Sequence, residues 1–434
     1  MVGSNFPPEP IPVKPRPPAK KEFCSMPRLF YGNFDFEHRL ADAGNEPSQV
    51  LKRLNAELAS SWLAIADDGD LIWTPSPIDT QFWVEAVQNQ LPNVIPITSL
   101  AHVPRQTELI PWGWSDEVRK WGARSGWQMN APTDEVIRWA NSRATSAELE
   151  QRWSVGLPDA ARIESVEQFQ SALPRLLASN ERWVVKALFS MSARERILGR
   201  GPATASEMNW IRRRILAQGV VFLEPWVERI EEIGMQFDVP ATGSPRLMGV
   251  TPMRVDERGQ YAGSMFSQDH PEDHSEDHPE NSSDSHWDHH DWAAAITVGL
   301  RAAETLQSQG YFGPLGIDAM SYRDSTGARQ IRPLQDINAR WTMGRLSLGW
   351  RRLLRRDEHG AWEHGLQQKD EESTCDEVTR TIRTSPLFVG GIPCRHQSRL
   401  VFHRETTAVR RENQPPSTGE TDRSGPAKRH DDRK

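Results

Sequence analysis

The chain has 434 residues, 37% of them apolar, a mean hydropathy of −0.64 and a formal net charge of −7, which allows two or three domains with a sizeable core. No apolar run approaches the roughly 18 residues of a membrane helix, no apolar signal core opens the chain, and Cys24, Cys375 and Cys394 form neither a CxxC pair nor an even framework, so a reducing, cytoplasmic setting is expected. Nine carboxylates and no Lys or Arg fall in residues 267–291; the remainder is close to neutral, which excludes a global basic field for nucleic acid.

Seven prolines in the first 21 residues oppose helix and sheet ladder, so residues 1–25 are expected to be a disordered tail. From Arg28 to Thr98 strand-like and helical patterns alternate. Leu29–Tyr31, Trp62–Ala66, Leu71–Trp73 and Val94–Thr98 read as strands. Ser48–Ala59 and Ile78–Gln90 read as helices, and the alternation implies an α/β layer. Ser115 is a good helix N-cap, and Thr133–Trp153 reads as one long helical region capped by Thr133. The 17 tryptophans are spread along the chain and read mainly as large core anchors. Gln268–Asp291 repeats Asp-His-(Pro/Ser)-Glu with six histidines. Zinc, copper or nickel are conceivable ligands there, but a low-complexity disordered loop is the favoured reading. Residues 404–434 are polar and are expected to be a disordered tail.

Four segments carry chemistry. Trp183–Val185 is an apolar strand ending at Lys186, followed by Ser190, Ser192, Arg194 and Arg196, a plausible phosphate cradle. Val220–Leu223 is an apolar strand running into Glu224-Pro225-Trp226-Val227, a connector that can offer backbone groups to a purine edge or serve as a plain hinge. Arg246–Phe266 reads as two antiparallel strands; its Arg254 suits an anionic substrate or a solvent face. Ile317–Tyr322 and Gln330–Ile337 read as a hairpin around Asp324–Gly327, which brings Asp318 beside Asp336. Asp336 and Asn338 share one strand face, and Arg340 follows them. Two carboxylates and a carboxamide make a hard-oxygen site of the kind that holds Mg²⁺ on ATP phosphates.

In this order the segments resemble the ATP-grasp superfamily. Asn141-Ser142-Arg143 stands where that family has Asn-x-Lys, and Gly156-Leu157-Pro158 is similar to its GLP turn. Lys186 matches the strand lysine, Glu224 to Val227 the hinge, and Asp318, Asp336, Asn338 and Arg340 the metal strand. Four departures stand out: Arg143 replaces lysine, Asp336 replaces glutamate, Gln236 occupies a place where a ribose-binding glutamate is often found, and the loop after Lys186 is poorer in glycine than usual.

The resemblance implies an α+β fold: an α/β pre-ATP-grasp domain over 26–130, then an ATP-grasp domain over 131–403, two α+β lobes clamping ATP. It implies ATP and Mg²⁺ as cofactors and a ligase that activates a small carboxylate as an acylphosphate for an amine or a thiol. A phosphotransferase, or a nucleotide-binding scaffold without turnover, are the alternatives. Arg143 and Lys186 would hold phosphates, with Glu224, Trp226 and Val227 around the adenine. Asp318, Asp336 and Asn338 would hold Mg²⁺, while Arg254 and Arg340 would face substrate and acylphosphate. No nucleic-acid or membrane partner is implied.

Overall fold

In the computed structural model, residues 26–41, 48–189, 195–256, 259–268, 289–365 and 377–404 are described. The two expected tails, most of the acidic insert, Ser190, Ser192, Arg194, Cys24 and Cys375 lie outside them.

Four short apolar strands open the fold: Arg28–Tyr31 (β1), Leu71–Trp73 (β2), Ile95–Ile97 (β3) and Glu108–Pro111 (β4). They form a parallel sheet in the order β3-β2-β1-β4. Parallel strands connected by helices are covered on both faces. Alternate residues therefore serve two cores: Phe30 and Ile72 one, Leu29, Tyr31 and Leu71 the other. Because β2 and β4 flank β1, the connections after β1 and β4 diverge there and leave a crevice at their carboxyl ends, the usual ligand position in such sheets. Asn33 closes it, donating from Nδ2 to the Gly113 carbonyl at 2.8 Å.

Two sheet-and-helix lobes follow. Ala161–Ile163 (β5), Arg182–Ala187 (β6), Arg196–Arg200 (β7) and Val221–Pro225 (β8) form an antiparallel sheet in the order β5-β8-β6-β7. The helices Val166–Leu177 and Ala205–Gln218 pack on it around Phe169, Leu176, Trp183, Val185, Ile211 and Leu223. That core is separate from the main one, so this small lobe is a packing unit of its own.

The larger lobe is an eight-stranded antiparallel sheet. Its strands are Glu228–Val239 (β9), Arg246–Val255 (β10), Tyr261–Phe266 (β11), Gly313–Arg323 (β12), Arg329–Asn338 (β13), Glu358–Gly365 (β14), Glu377–Arg383 (β15) and Gln397–Arg404 (β18). A small hairpin, Phe388–Val389 (β16) with Ile392–Pro393 (β17), precedes the last of them. The order is β13-β12-β9-β10-β11-β14-β18-β15. One continuous core joins this sheet to the parallel unit, through Trp62, Phe237, Leu346, Trp350 and Trp362 among others. The fold is thus α+β, as expected: a parallel unit followed by two sheet-and-helix lobes. Five of the tryptophans (Trp62, Trp183, Trp292, Trp350 and Trp362) are among the largest fully buried side chains.

Three local expectations need correction. Ala59–Ala64 is a 3-10 helix, so Trp62–Ala66 is no strand. Its side chains are buried on every side, and a short apolar run does not by itself separate strand from helical turn. Thr133–Trp153 is two helices, Asp134–Ala140 and Arg143–Trp153. Ser142 caps the second by accepting from the Ala144 amide, and the Arg143 amide turns instead to the Leu188 carbonyl. The acidic insert, expected to reach Asp291, runs into a helix that starts at His289.

Candidate functional site

The hairpin β12–β13 sets the centre of the site. The turn is held by Asp324, whose Oδ1 accepts from the Thr326 and Ala328 amides. An irregularity between Asp318 and Met320 shifts the register beyond the turn, so that Asp318 stands opposite Asp336 and Gly316 opposite Asn338. Ile317 and Ile337 point to the core, so both carboxylates and the carboxamide face the cleft. Asn338 donates from Nδ2 to Asp318 at 3.2 Å and accepts on Oδ1 from Arg340 at 2.9 Å. Arg340 continues to Glu37 of the parallel unit and lies over the Trp112 ring at 5.3 Å. Asn141 pins the neighbouring backbone through the Ala339 amide and carbonyl.

Burial pushes Asp318 up to about 7, helped by the negative charges of Asp336 and Glu232. Asp336 is bonded to Arg143 at 3.1 Å, the first residue of the helix Arg143–Trp153. The donor set is two opposed carboxylates and an amide oxygen, all hard ligands. It fits a divalent cation such as Mg²⁺.

On the opposite wall, Lys186 at the end of β6 is bonded to Glu224 of β8 at 2.7 Å. Arg332 of β13 reaches across from the large lobe. It bonds Glu224 at 2.9 and 3.2 Å and Glu150 at 2.6 and 2.8 Å. The result is a buried, formally neutral group of two cations and two anions spanning both lobes. Burial alone would raise Glu224, but Arg332 and then Lys186 outweigh it and hold its carboxyl far below the usual range. Burial lowers Lys186, against the opposing pull of Glu224.

These residues surround a cavity of about 300 Å³ at the crevice of the parallel sheet. Arg143, Lys186, Asp318, Asp336, Asn338 and Arg340 all line it, together with Arg196, Glu232, Gln236, Glu37 and Trp112. A second cavity of about 890 Å³ adjoins it, sharing Glu232, Met253 and Val255. Trp226 and Val227 line this second cavity, as does Arg254. Arg254 is therefore not brought to Arg340; it is more than half exposed and bonded to Glu363 at 2.8 Å. Glu224 lines neither cavity with its side chain, because its carboxylate is turned to Lys186 and Arg332. Three guanidinium groups, of Arg182, Arg196 and Arg229, stack about Trp226 at 4.7–5.8 Å.

Sequence reasoning missed Glu232, which faces both cavities, and Glu37, Glu150 and Arg332. Glu232 lies four residues before Gln236 on the same face of β9, so the alternation pointed to it. Gln236 is instead engaged by the Thr342 hydroxyl at 2.6 Å. Glu37 and Glu150 gave no signal, since each meets its arginine only through the tertiary fold.

No family model matches the sequence, and no curated protein matches it. Solved structures of similar fold include N5-carboxyaminoimidazole synthetase from Staphylococcus aureus, at 8% identity, 87% of this chain, 93% of that one and a TM-score of 0.47. N5-carboxyaminoimidazole ribonucleotide synthetase from Thermus thermophilus shares 15% identity over 88% of this chain and 94% of that one, with a TM-score of 0.46. A biotin carboxylase from Campylobacter jejuni, in a β-γ-ATP complex, shares 9% identity over 88% of each chain at a TM-score of 0.48. Among the described residues, no helix is long and apolar enough to cross a membrane.

Proposed function

We propose that the chain binds Mg-ATP in this cleft and uses it to activate a small carboxylate as an acylphosphate, which an amine or a thiol then attacks. One observation carries the reading: the hard-oxygen hairpin, Arg143, Lys186 and Arg340 converge on a single cavity at the sheet crevice. Mg²⁺ bound there would offset the charge of the ATP phosphates. Asp318 and Asp336 would hold it, with Asn338 once its amide oxygen turns from Arg340. Arg143 and Lys186 would exchange their carboxylate partners for phosphate oxygens, a swap between anions of similar strength. Trp226 and Val227 would flank the adenine in the adjoining cavity. Glu224 would act indirectly, by holding Lys186 and Arg332 in place. Arg340 would face the acylphosphate and Arg254 an anionic end of the substrate at the outer cavity. The chain's part in the chemistry is position and charge; no covalent nucleophile of its own is needed.

A second reading, a nucleotide-binding protein without turnover, is favoured by the pairing of Arg143, Lys186 and Arg340 with carboxylates of the chain itself. Calorimetry with Mg-ATP on the wild type, Lys186→Ala and Asp336→Asn tests the site. Unchanged affinity in both variants would dismiss it. Following ADP and AMP with a panel of carboxylates then separates the readings. ADP with a ligated product supports the ligase, ADP with a stable phosphorylated product the phosphotransferase, and AMP contradicts both. Binding without turnover leaves the second reading.

A further inference from the structure

Among the described residues, the cavity wall farthest along the sheet from the hairpin carries no ion pair. It is built from Tyr261 of β11, His364 of β14 and His396, which immediately precedes β18. His364 Nδ1 lies 3.0 Å from His396 Nε2. The Trp362 ring, its centroid 4.4 Å away and edge-on, and the Tyr261 ring, at 5.4 Å, fix the His364 plane. His396 is set by its own amide, which donates to Glu57 at 2.8 Å. His364 Nε2 is buried and has no hydrogen-bond partner among the described residues.

Burial holds His364 well below the ordinary histidine value, with His396 adding to the effect; burial also lowers His396, against the pull of Glu57. The titratable neighbours are Tyr261, itself raised by burial, and Glu57, whose carboxylate is held by Arg53 and by the Arg395 and His396 amides. The 3.0 Å contact places one proton between the two rings, and burial favours the uncharged form of each. Either tautomer leaves one outer ring nitrogen with a bare lone pair and the other with an N–H. The other basic groups lining this cavity are already engaged. Glu37 meets Arg340, Glu232 meets Arg229, Asp336 meets Arg143, and Asp318 meets Asn338.

We propose that the acceptor substrate is an amine and that its ammonium form binds against His364 and His396, which take one proton from it before it attacks. The inference rests on the acylphosphate reading above. The ammonium group donates a hydrogen bond to the bare His364 Nε2 and passes that proton to it. The proton on Nδ1 shifts to His396 Nε2, which places the positive charge nearer the Glu57 carboxylate. As the neutral nitrogen then attacks and the C–N bond forms, the carbon–oxygen bond to phosphate breaks; phosphate leaves with that electron pair and takes up the second proton that the nitrogen sheds.

The test compares two nucleophiles in the full-length protein, with Mg-ATP and the common amino acids and dicarboxylates as acids. Ammonium must lose a proton to react; hydroxylamine is already neutral near neutral pH. His364→Gln and the more exposed His396→Gln are both made, and Mg-ATP binding by each reports that it folds. Ammonium-supported ADP release should fall about 100-fold at neutral pH and recover as the pH rises, whereas hydroxylamine should rescue turnover to within about threefold of wild type. Equal losses with both nucleophiles, or ammonium rates that do not fall, would overturn the role of the pair while leaving the ligase reading in place. If the wild type binds Mg-ATP but no acid yields ADP, the ligase reading fails and this inference with it.

Discussion

Asp318 and Asp336 stand directly opposite one another across β12 and β13, both facing the cleft, and the Asp318 carboxyl is raised to about 7. A carboxyl raised in the folded state holds its proton more tightly than in the unfolded chain. Between 3.8 and about 7 the folded form therefore binds more protons, so stability falls as pH rises through that window, and the loss is complete above it. Asp318→Asn should raise the melting temperature by several degrees at about pH 8 without Mg²⁺, and by nothing below the unfolded value. The same variant should lose the stabilisation that Mg-ATP confers on the wild type. Thermal melts at the two pH values, with and without Mg-ATP, decide it; an unchanged Mg-ATP shift in Asp318→Asn would remove this residue from the cation site.

Arg332 is the keystone of the interlobe charge group, bonded to Glu150 and Glu224 at once. Arg332→Met leaves Glu150 without a partner and Glu224 with Lys186 alone. Removing one member of a buried ion group costs about 3–5 kcal/mol, because the stranded charge remains buried. Urea midpoints should show a loss of that size. Lys186→Ala should cost less, since Arg332 still meets Glu224, and should act mainly on ATP affinity. The reverse ranking would mean that the cluster is not the tie between the lobes.

Glu37 comes from the parallel unit and holds Arg340, which in turn holds Asn338. Glu37→Gln keeps the shape and releases the guanidinium. ADP formation should fall about 10- to 100-fold, since a small misplacement of a positioning group is costly. Mg-ATP affinity should change by less than about threefold, because Arg340 is assigned to the acyl group rather than to the nucleotide. Calorimetry beside steady-state turnover separates the two; a parallel loss of affinity would move Arg340 into the nucleotide site.

Residues 269–288 contain one large apolar side chain, Trp287, among acidic, histidine, small polar and two proline residues. They lie between β11 and the helix that begins at His289. Excising them should leave the melting temperature and Mg-ATP affinity unchanged, since the closure entropy of a connection changes only slowly with its length. A drop of many degrees would show a structural role, and activity restored by zinc would revive a metal function for the histidines.

The sequence by itself determined the periodic elements and the short-range chemistry. Apolar runs of three or four residues became β1, β2, β6 and β8. The Asp324–Gly327 turn made the hairpin, but its register beside the turn, Met320 opposite Arg332, would set Asp318 against Leu334; an irregularity between Asp318 and Met320 shifts the pairing and brings Asp318 opposite Asp336. Ser115 caps its helix as its side chain requires, accepting from the Val118 amide. What only the tertiary structure decided lies between elements far apart in the chain. Burial on all sides turned Ala59–Ala64 into a 3-10 helix. Long-range bonds from Asn141 and the Arg143 amide split a helix that periodicity read as continuous. Arg332 found Glu150, Arg340 found Glu37, and His364 found His396 across separations that no local pattern encodes. Arg254 was drawn to Glu363 and away from the hairpin. Hydrophobic period and turn chemistry act within a few residues and can be read along the chain, whereas charge pairing depends on which side chains folding buries together.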